Sequence, residues 1–113
     1  MELLKTEDYQ LSYQPEHHLL SCQGELHLRG NHTAIMTFLE HILAQEPKQI
    51  IFDLSQLSSL NSAGIIILAE FIIKVSDKKN IQLLVHGSKA HAWQSNVFKN
   101  FCHLMPQLQL KWY

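Results

Sequence analysis

The sequence predicts an α/β fold. It reads as a single domain over residues 1–113, with a four- to five-stranded mixed β-sheet, packed α-helices and an opening β-hairpin. Three observations point there. After two neighbouring strand-like runs, segments of helical and strand periodicity alternate to the end of the chain. Two runs, Gln49–Leu54 and Ile81–His86, are almost continuously apolar, the pattern of strands buried on both faces of a mixed or parallel sheet. The chain has 113 residues, enough to bury one core, and its 46% hydrophobic content is that of a globular protein rather than a disordered one.

Each element follows from local pattern. Tyr9-Gln10-Leu11-Ser12-Tyr13 alternates apolar and polar residues, as a half-buried strand does. Pro15-Glu16-His17 interrupts it, and His18 to Gln23 reads as the return strand of a hairpin closed by Gly24. Asn31 and Thr33 are candidate caps for a helix carrying Ile35, Phe38, Leu39, Ile42 and Leu43 at helical spacing. Pro47 lies beyond its end. Between the strand at Gln49–Leu54 and Asn61 the sequence reads as a short loop.

Ile65-Ile66-Ile67 has strand propensity, but the segment from Asn61 to Lys79 runs on without a turn, too far for an ordinary strand. Asn61 offers an N-cap, and Glu70 stands four residues before Lys74, a helix-supporting pair, so the segment is assigned as helix. Ile81–His86 follows as a strand, and Ser88 to Met105 as a third helix ended before Pro106. Gln107 to Trp112 alternates cleanly and should be a last strand at a sheet edge.

Composition removes several function classes. Net charge is −1 and Arg29 is the single arginine, so the basic footprint of a nucleic-acid-binding surface is missing; Lys78-Lys79 reads as a solvated helix end. The N-terminal residues lack the apolar stretch of a signal peptide. The longest apolar run, Ala63 to Ala69, falls well short of the roughly 20 residues that span a bilayer. A cytoplasmic protein with no membrane partner is expected. Cys22 and Cys102, far apart in sequence, read as buried thiols in a reducing compartment rather than as a disulfide.

Two stretches carry a family resemblance. Gly24-Glu25-Leu26, followed by Thr33-Ala34, is similar to the run between the second strand and first helix of anti-sigma factor antagonists. Ile50-Ile51-Phe52-Asp53-Leu54-Ser55, a loop, then Leu60-Asn61-Ser62-Ala63-Gly64-Ile65 resembles the buried strand, loop and helix start of the same group, the STAS domain family. The element order agrees over nearly the whole chain. Gly87-Ser88, Trp93-Gln94 and Leu104-Met105-Pro106 resemble a bacterial STAS-like subgroup.

The resemblance implies a non-enzymatic partner-switching module in signal transduction. Its expected partner is an anti-sigma-factor-like serine kinase or another regulatory protein, and Ser62 matches the family's phosphorylated position. In this sequence Asn61 stands where the family has an acidic residue, and Ala63 where it has a second hydroxyl.

The residues themselves leave two readings of this region open. Ser62 sits at a helix start, where unpaired N–H groups and the helix dipole favour an anion, but capping alone also accounts for a serine there. Ser62, Ile66, Ala69 and Ile73 form one helical stripe, while Leu68, Ile72 and Val75 lie on another side. The helix is more apolar than one buried face requires. Either it is sandwiched deep in the domain, or Asn61, Ser62, Ala63, Gly64, Ile66 and Ile73 belong to a partner-binding surface. An alternative function is a sensor in which the loop from Ser55 to Asn61 and the helix start hold a nucleotide, phosphate or other small anion; another is an adaptor that is never modified.

No cofactor or metal is expected. The eight histidines include no His-x-x-x-His pair, and neither cysteine has a nearby second thiol. No nucleophile elbow, phosphate loop or paired-carboxylate motif is present, so no catalytic residue is assigned. Asp53 is expected to satisfy backbone donors in the loop that follows it. The sequence carries no signal for an oligomeric state.

Overall fold

The computed structural model describes residues 1–30 and 32–113. In chain order the elements are β1 (Glu2–Lys5), β2 (Tyr9–Gln14), a 3-10 turn (Pro15–His17), β3 (Leu19–Leu26), α1 (Thr33–Ala44), β4 (Gln49–Asp53), β5 (Leu57–Leu60), α2 (Ser62–Lys78), β6 (Gln82–Gly87), α3 (Trp93–Leu104) and β7 (Gln109–Trp112). The strands form one mixed sheet of order β1-β2-β3-β4-β6-β7, with β5 paired to β3 beside the end of β4. β1, β2 and β3 are antiparallel, whereas β4, β5, β6 and β7 each join the sheet in parallel.

The two apolar runs read as buried strands are parallel neighbours: Ile50, Ile51 and Phe52 align with Leu83, Leu84 and Val85. The sheet has seven strands, not four or five. The two additional strands are β1, before the opening hairpin, and β5, inside the stretch read as a loop. β3 also runs past Gly24 instead of closing there. At that glycine the register shifts and φ is +94°, and a Cβ would fall 2.4 Å from the Asp8 carbonyl oxygen. On one side of this bulge β3 pairs with β4, on the other with β5.

All three helices lie on one face of the sheet. Phe71 of α2 meets Phe52 edge-on, Phe98 of α3 stacks on Trp112, and His41 of α1 pairs with Glu2 at 2.6 Å. Leu11, Leu20, Cys22, Ile50, Phe52, Leu83 and Val85 fill the core beneath them. The reading of β4 and β6 as strands buried on both faces is therefore corrected. Ile51 and Leu84 point to the side without helices and are only half-buried, and burial alternates along both strands.

Helix ends differ in detail from expectation. Thr33 is the first residue of α1 rather than its cap, His32 occupies the cap position without a side-chain cap bond, and the other candidate, Asn31, lies outside the described residues. α3 begins at Trp93, because residues 88–92 form a turn in which the Ser88 hydroxyl accepts from the Ala90 N–H at 3.1 Å. Lys74 pairs at 2.7 Å with Glu40 of α1, not with Glu70 on its own helix. Cys22 and Cys102 are both free; burial pushes the Cys22 thiol up to about 12, while Cys102 is half-buried.

Candidate functional site at the start of helix α2

Asn61 fixes where α2 begins. Its backbone is extended, and its Oδ1 accepts from the Gly64 N–H at 2.9 Å, satisfying one of the donors left open at a helix start. The same Oδ1 accepts from the Leu28 N–H at 3.1 Å, and Nδ2 donates to the Leu28 carbonyl at 2.9 Å. One carboxamide therefore caps the helix and ties it to the chain leaving β3. An aspartate could accept at both places but could not make the third bond, which gives a physical reason for Asn61 in this sequence.

Gly64 lets the helix approach that closely. A Cβ at this position would lie 2.5 Å from the Leu26 carbonyl oxygen. Ala63 is half-buried and packs against the core. Ser62, between Asn61 and Ala63 in the first turn, is exposed, and its hydroxyl has no hydrogen-bond partner among the described residues. No acidic residue lies in that turn, so no charged side chain there adds to the Asn61 cap in offsetting the positive end of the helix dipole.

The stripe expected on α2 faces outward in part. Ile66 is 56% exposed and Ile73 41%, and Ile65 beside them is also exposed. Ala69 is half-buried, and Leu68, Ile72 and Val75 are fully buried as core. The structure thus brings Ser62, Ile66 and Ile73 to one exposed edge. Asn61, Ala63 and Gly64 form the anchored base beneath that edge, and Gly64 is buried.

The preceding connection is held from several sides. Asp53 Oδ1 accepts from the Ser55 N–H at 2.9 Å and from its hydroxyl at 2.6 Å, the role expected of it. The Ser58 hydroxyl donates to the Gly24 carbonyl, and Ser59 shares a 2.8 Å hydrogen bond with His27. With Asn61 also committed, the polar groups of residues 55–61 that would bind an anion are largely engaged within the chain.

Sequence reasoning missed Gln94, which is fully buried. Its Oε1 accepts from the Ser88 N–H at 2.8 Å, and its Nε2 donates to the carbonyls of Leu54 at 2.9 Å and Leu57 at 3.0 Å. Next to it, Trp93 Nε1 donates to the Ser58 carbonyl at 2.8 Å. These two side chains staple α3 to the turn after β4 and to the start of β5. A glutamine near a helix start otherwise reads as a surface residue, and only the Trp93-Gln94 pair in the family resemblance hinted at more.

Among the described residues no three His, Cys, Asp or Glu side chains converge as a metal site, and no helix is long and apolar enough to cross a membrane. A surface depression of about 440 Å³ beside Leu28 is lined by Asp8 and Glu25 as well as His27 and Arg29, so its charge is mixed.

Comparison with known proteins places this architecture. No curated protein sequence matches the chain. One chain of the crystal structure of the diguanylate cyclase SiaD in complex with its activator SiaC, from Pseudomonas aeruginosa, superposes with a TM-score of 0.77 at 13% identity, covering 100% of both chains. SiaC of Pseudomonas aeruginosa gives 0.72 at 16% identity, again over 100% of both chains. An anti-sigma factor antagonist from Mycobacterium paratuberculosis gives 0.57 at 18% identity, over 96% of this chain and 82% of that one. At these identities the likeness is one of fold. The sequence model of the STAS domain matches residues 9–93, from the start of β2 through the capped start of α2 to Trp93, the first residue of α3, and the chain belongs to the STAS domain family.

Proposed function

We propose that residues 1–113 act as one non-enzymatic regulatory module in the cytoplasm, and that it binds a protein partner through the exposed edge of α2. The observation that carries this reading is the combination at that edge. Ile66 and Ile73 are apolar and exposed, and the Ser62 hydroxyl beside them is solvent-facing without a hydrogen-bond partner among the described residues. Three exposed isoleucines on one helix, Ile65, Ile66 and Ile73, support a surface that another protein covers.

Ser62 is the proposed switch. Phosphorylation would add about −1.5 to −2 charge at the positive end of α2 and alter what a partner meets there. The rigid base of Asn61 and Gly64 keeps that change local, because the helix start is bonded to β3 and its flank. A serine kinase of the anti-sigma-factor type is the expected writer and partner. The structural neighbours support a regulatory role by what they are: one is an anti-sigma factor antagonist, another the activator of a diguanylate cyclase.

Intact-mass measurement on the protein purified from its native host tests the switch. A phosphate adduct that disappears in Ser62→Ala supports it. An unmodified mass under every growth condition reduces the role to a constitutive adaptor, with the α2 edge still its contact surface.

A further inference from the structure

The face of the sheet opposite the helices is bare, and its composition is unusual for a solvated surface. Sheets with parallel strands are mostly covered on both sides. Here β3, β4, β6 and β7 run parallel with helices on one side only. Leu19, Ile51 and Leu84 are register partners on three adjacent strands and form an apolar bar across the bare face. The remaining outward positions of β4, β6 and β7 are glutamines, apart from one row, Asp53–His86–Lys111. Depletion of charge around an apolar centre is the compositional mark of an interface core.

That one row identifies the occupant. Asp53 on β4 and Lys111 on β7 lie one strand to either side of His86 on β6, in the same cross-strand register. A two-fold axis running along β6 exchanges β4 with β7. It sets Asp53 of each copy against Lys111 of the other, and Leu84 against Leu84, across the roughly 10 Å that separates packed sheets. We infer that the bare sheet face is a dimer interface between two copies of this chain, self-complementary through the Asp53–Lys111 pair. Lys111 is already held over the bare face: its Nζ lies 5.5 Å from the centre of the Tyr113 ring, which itself packs edge-on against His86. The Tyr113 backbone is fixed by hydrogen bonds with Gly87 and Lys89.

The dimer would leave the proposed partner surface free, since α2 lies on the opposite layer. The inference is independent of Ser62 and stands or falls on different variants.

Sedimentation equilibrium over a dilution series tests it on the full chain. The wild type should show twice the mass of one chain, falling twofold on dilution. Lys111→Asp, an exposed change that sets acid against acid, should shift the protein to monomer at concentrations where the wild type is dimeric, as should Leu84→Glu. Thermal melts identify a variant that has unfolded, and Lys111→Asp decides the matter if Leu84→Glu does. In a Cys102→Ser background, Leu84→Cys should form a disulfide-linked dimer on mild oxidation, because that position meets itself at the axis. A wild type that is monomeric throughout overturns the inference and leaves the face to a different protein. So does a dimer that survives Lys111→Asp, or one in which position 84 fails to cross-link.

Discussion

Asn61 and Leu28 are joined by two hydrogen bonds, one in each direction: the Leu28 N–H donates to Asn61 Oδ1 at 3.1 Å, and Asn61 Nδ2 donates back to the Leu28 carbonyl at 2.9 Å. Because Asn61 also caps α2, the helix that carries Ser62 cannot shift relative to β3 without breaking a side chain–backbone lock. The resemblance to anti-sigma factor antagonists places an acidic residue at this position. Asn61→Asp is therefore an informative change. It should keep the cap but lose the donor and set a carboxylate against a carbonyl, destabilising the fold by about 1–2 kcal/mol. Asn61→Ala should cost about 2–3 kcal/mol, since the cap is lost as well. Urea unfolding monitored by circular dichroism measures both.

Gly64→Ala tests the close approach of the helix. A Cβ placed 2.5 Å from the backbone oxygen of Leu26 meets an atom that cannot turn aside. The helix start must move, at about 1–3 kcal/mol. An alanine there that raises or leaves unchanged the urea midpoint would show that α2 sits farther from β3 than described.

Part of this site was legible before the structure, and the remainder was hidden for identifiable reasons. The Asn61 cap follows from residue type at a helix start, and the grouping of Ser62, Ile66 and Ile73 on one stripe follows from helical periodicity, but periodicity left open whether that stripe is covered, and the exposure of Ile66 and Ile73 is read from the structure. β5 was hidden because Leu57-Ser58-Ser59-Leu60 does not alternate; its serines bond to the Gly24 carbonyl and to His27 rather than following a two-residue pattern. β1 is only four residues long and pairs on one side alone. Ile50-Ile51-Phe52 suggested burial on both faces because hydropathy does not say which side helices occupy. Lys74 finds Glu40 across a helix pair, a contact made by the fold rather than by spacing. Gln94 has partners 37 and 40 residues away, beyond any local signal.

Gln94→Leu should be among the most damaging single substitutions outside the apolar core. It leaves the Leu54 and Leu57 carbonyls without their side-chain donor and the Ser88 N–H without its acceptor. The Leu54 carbonyl keeps its bond from the Leu57 N–H, and a loss of about 2–4 kcal/mol is expected from three hydrogen bonds removed at a buried site. Gln94→Glu separates the two roles, since its carboxylate retains an acceptor for Ser88 but offers no donor to the carbonyls. It should be at least as destabilising at neutral pH and recover partly as the pH falls. Chemical denaturation at two pH values measures this.

Stability should also depend on pH through His86. Burial holds its imidazole below the ordinary 6.5, with Lys111 acting in the same direction and Asp53 opposing. The unfolded chain therefore binds a proton at this residue more readily than the folded one. The contribution is sign-definite: stability is unaffected by this group well above pH 6.5 and declines as the pH falls through 6.5 towards the lowered folded value. The decline should be smaller in His86→Gln than in the wild type. Thermal melts of the two proteins between neutral and mildly acidic pH measure the difference, and a decline equal in both would remove His86 as its source.

The claim on which the functional account rests is that the α2 edge is a contact surface rather than spare core. Quantitative co-purification of tagged protein from its native host, comparing wild type, Ile66→Asp and a control on the exposed part of α3, Lys99→Asp, tests it most directly. A partner recovered with wild type and Lys99→Asp should fall roughly tenfold or more with Ile66→Asp, as removal of a central apolar contact does. All three proteins should melt within a few degrees of one another. Equal recovery of the partner with Ile66→Asp, or unfolding of that variant on its own, would contradict the account.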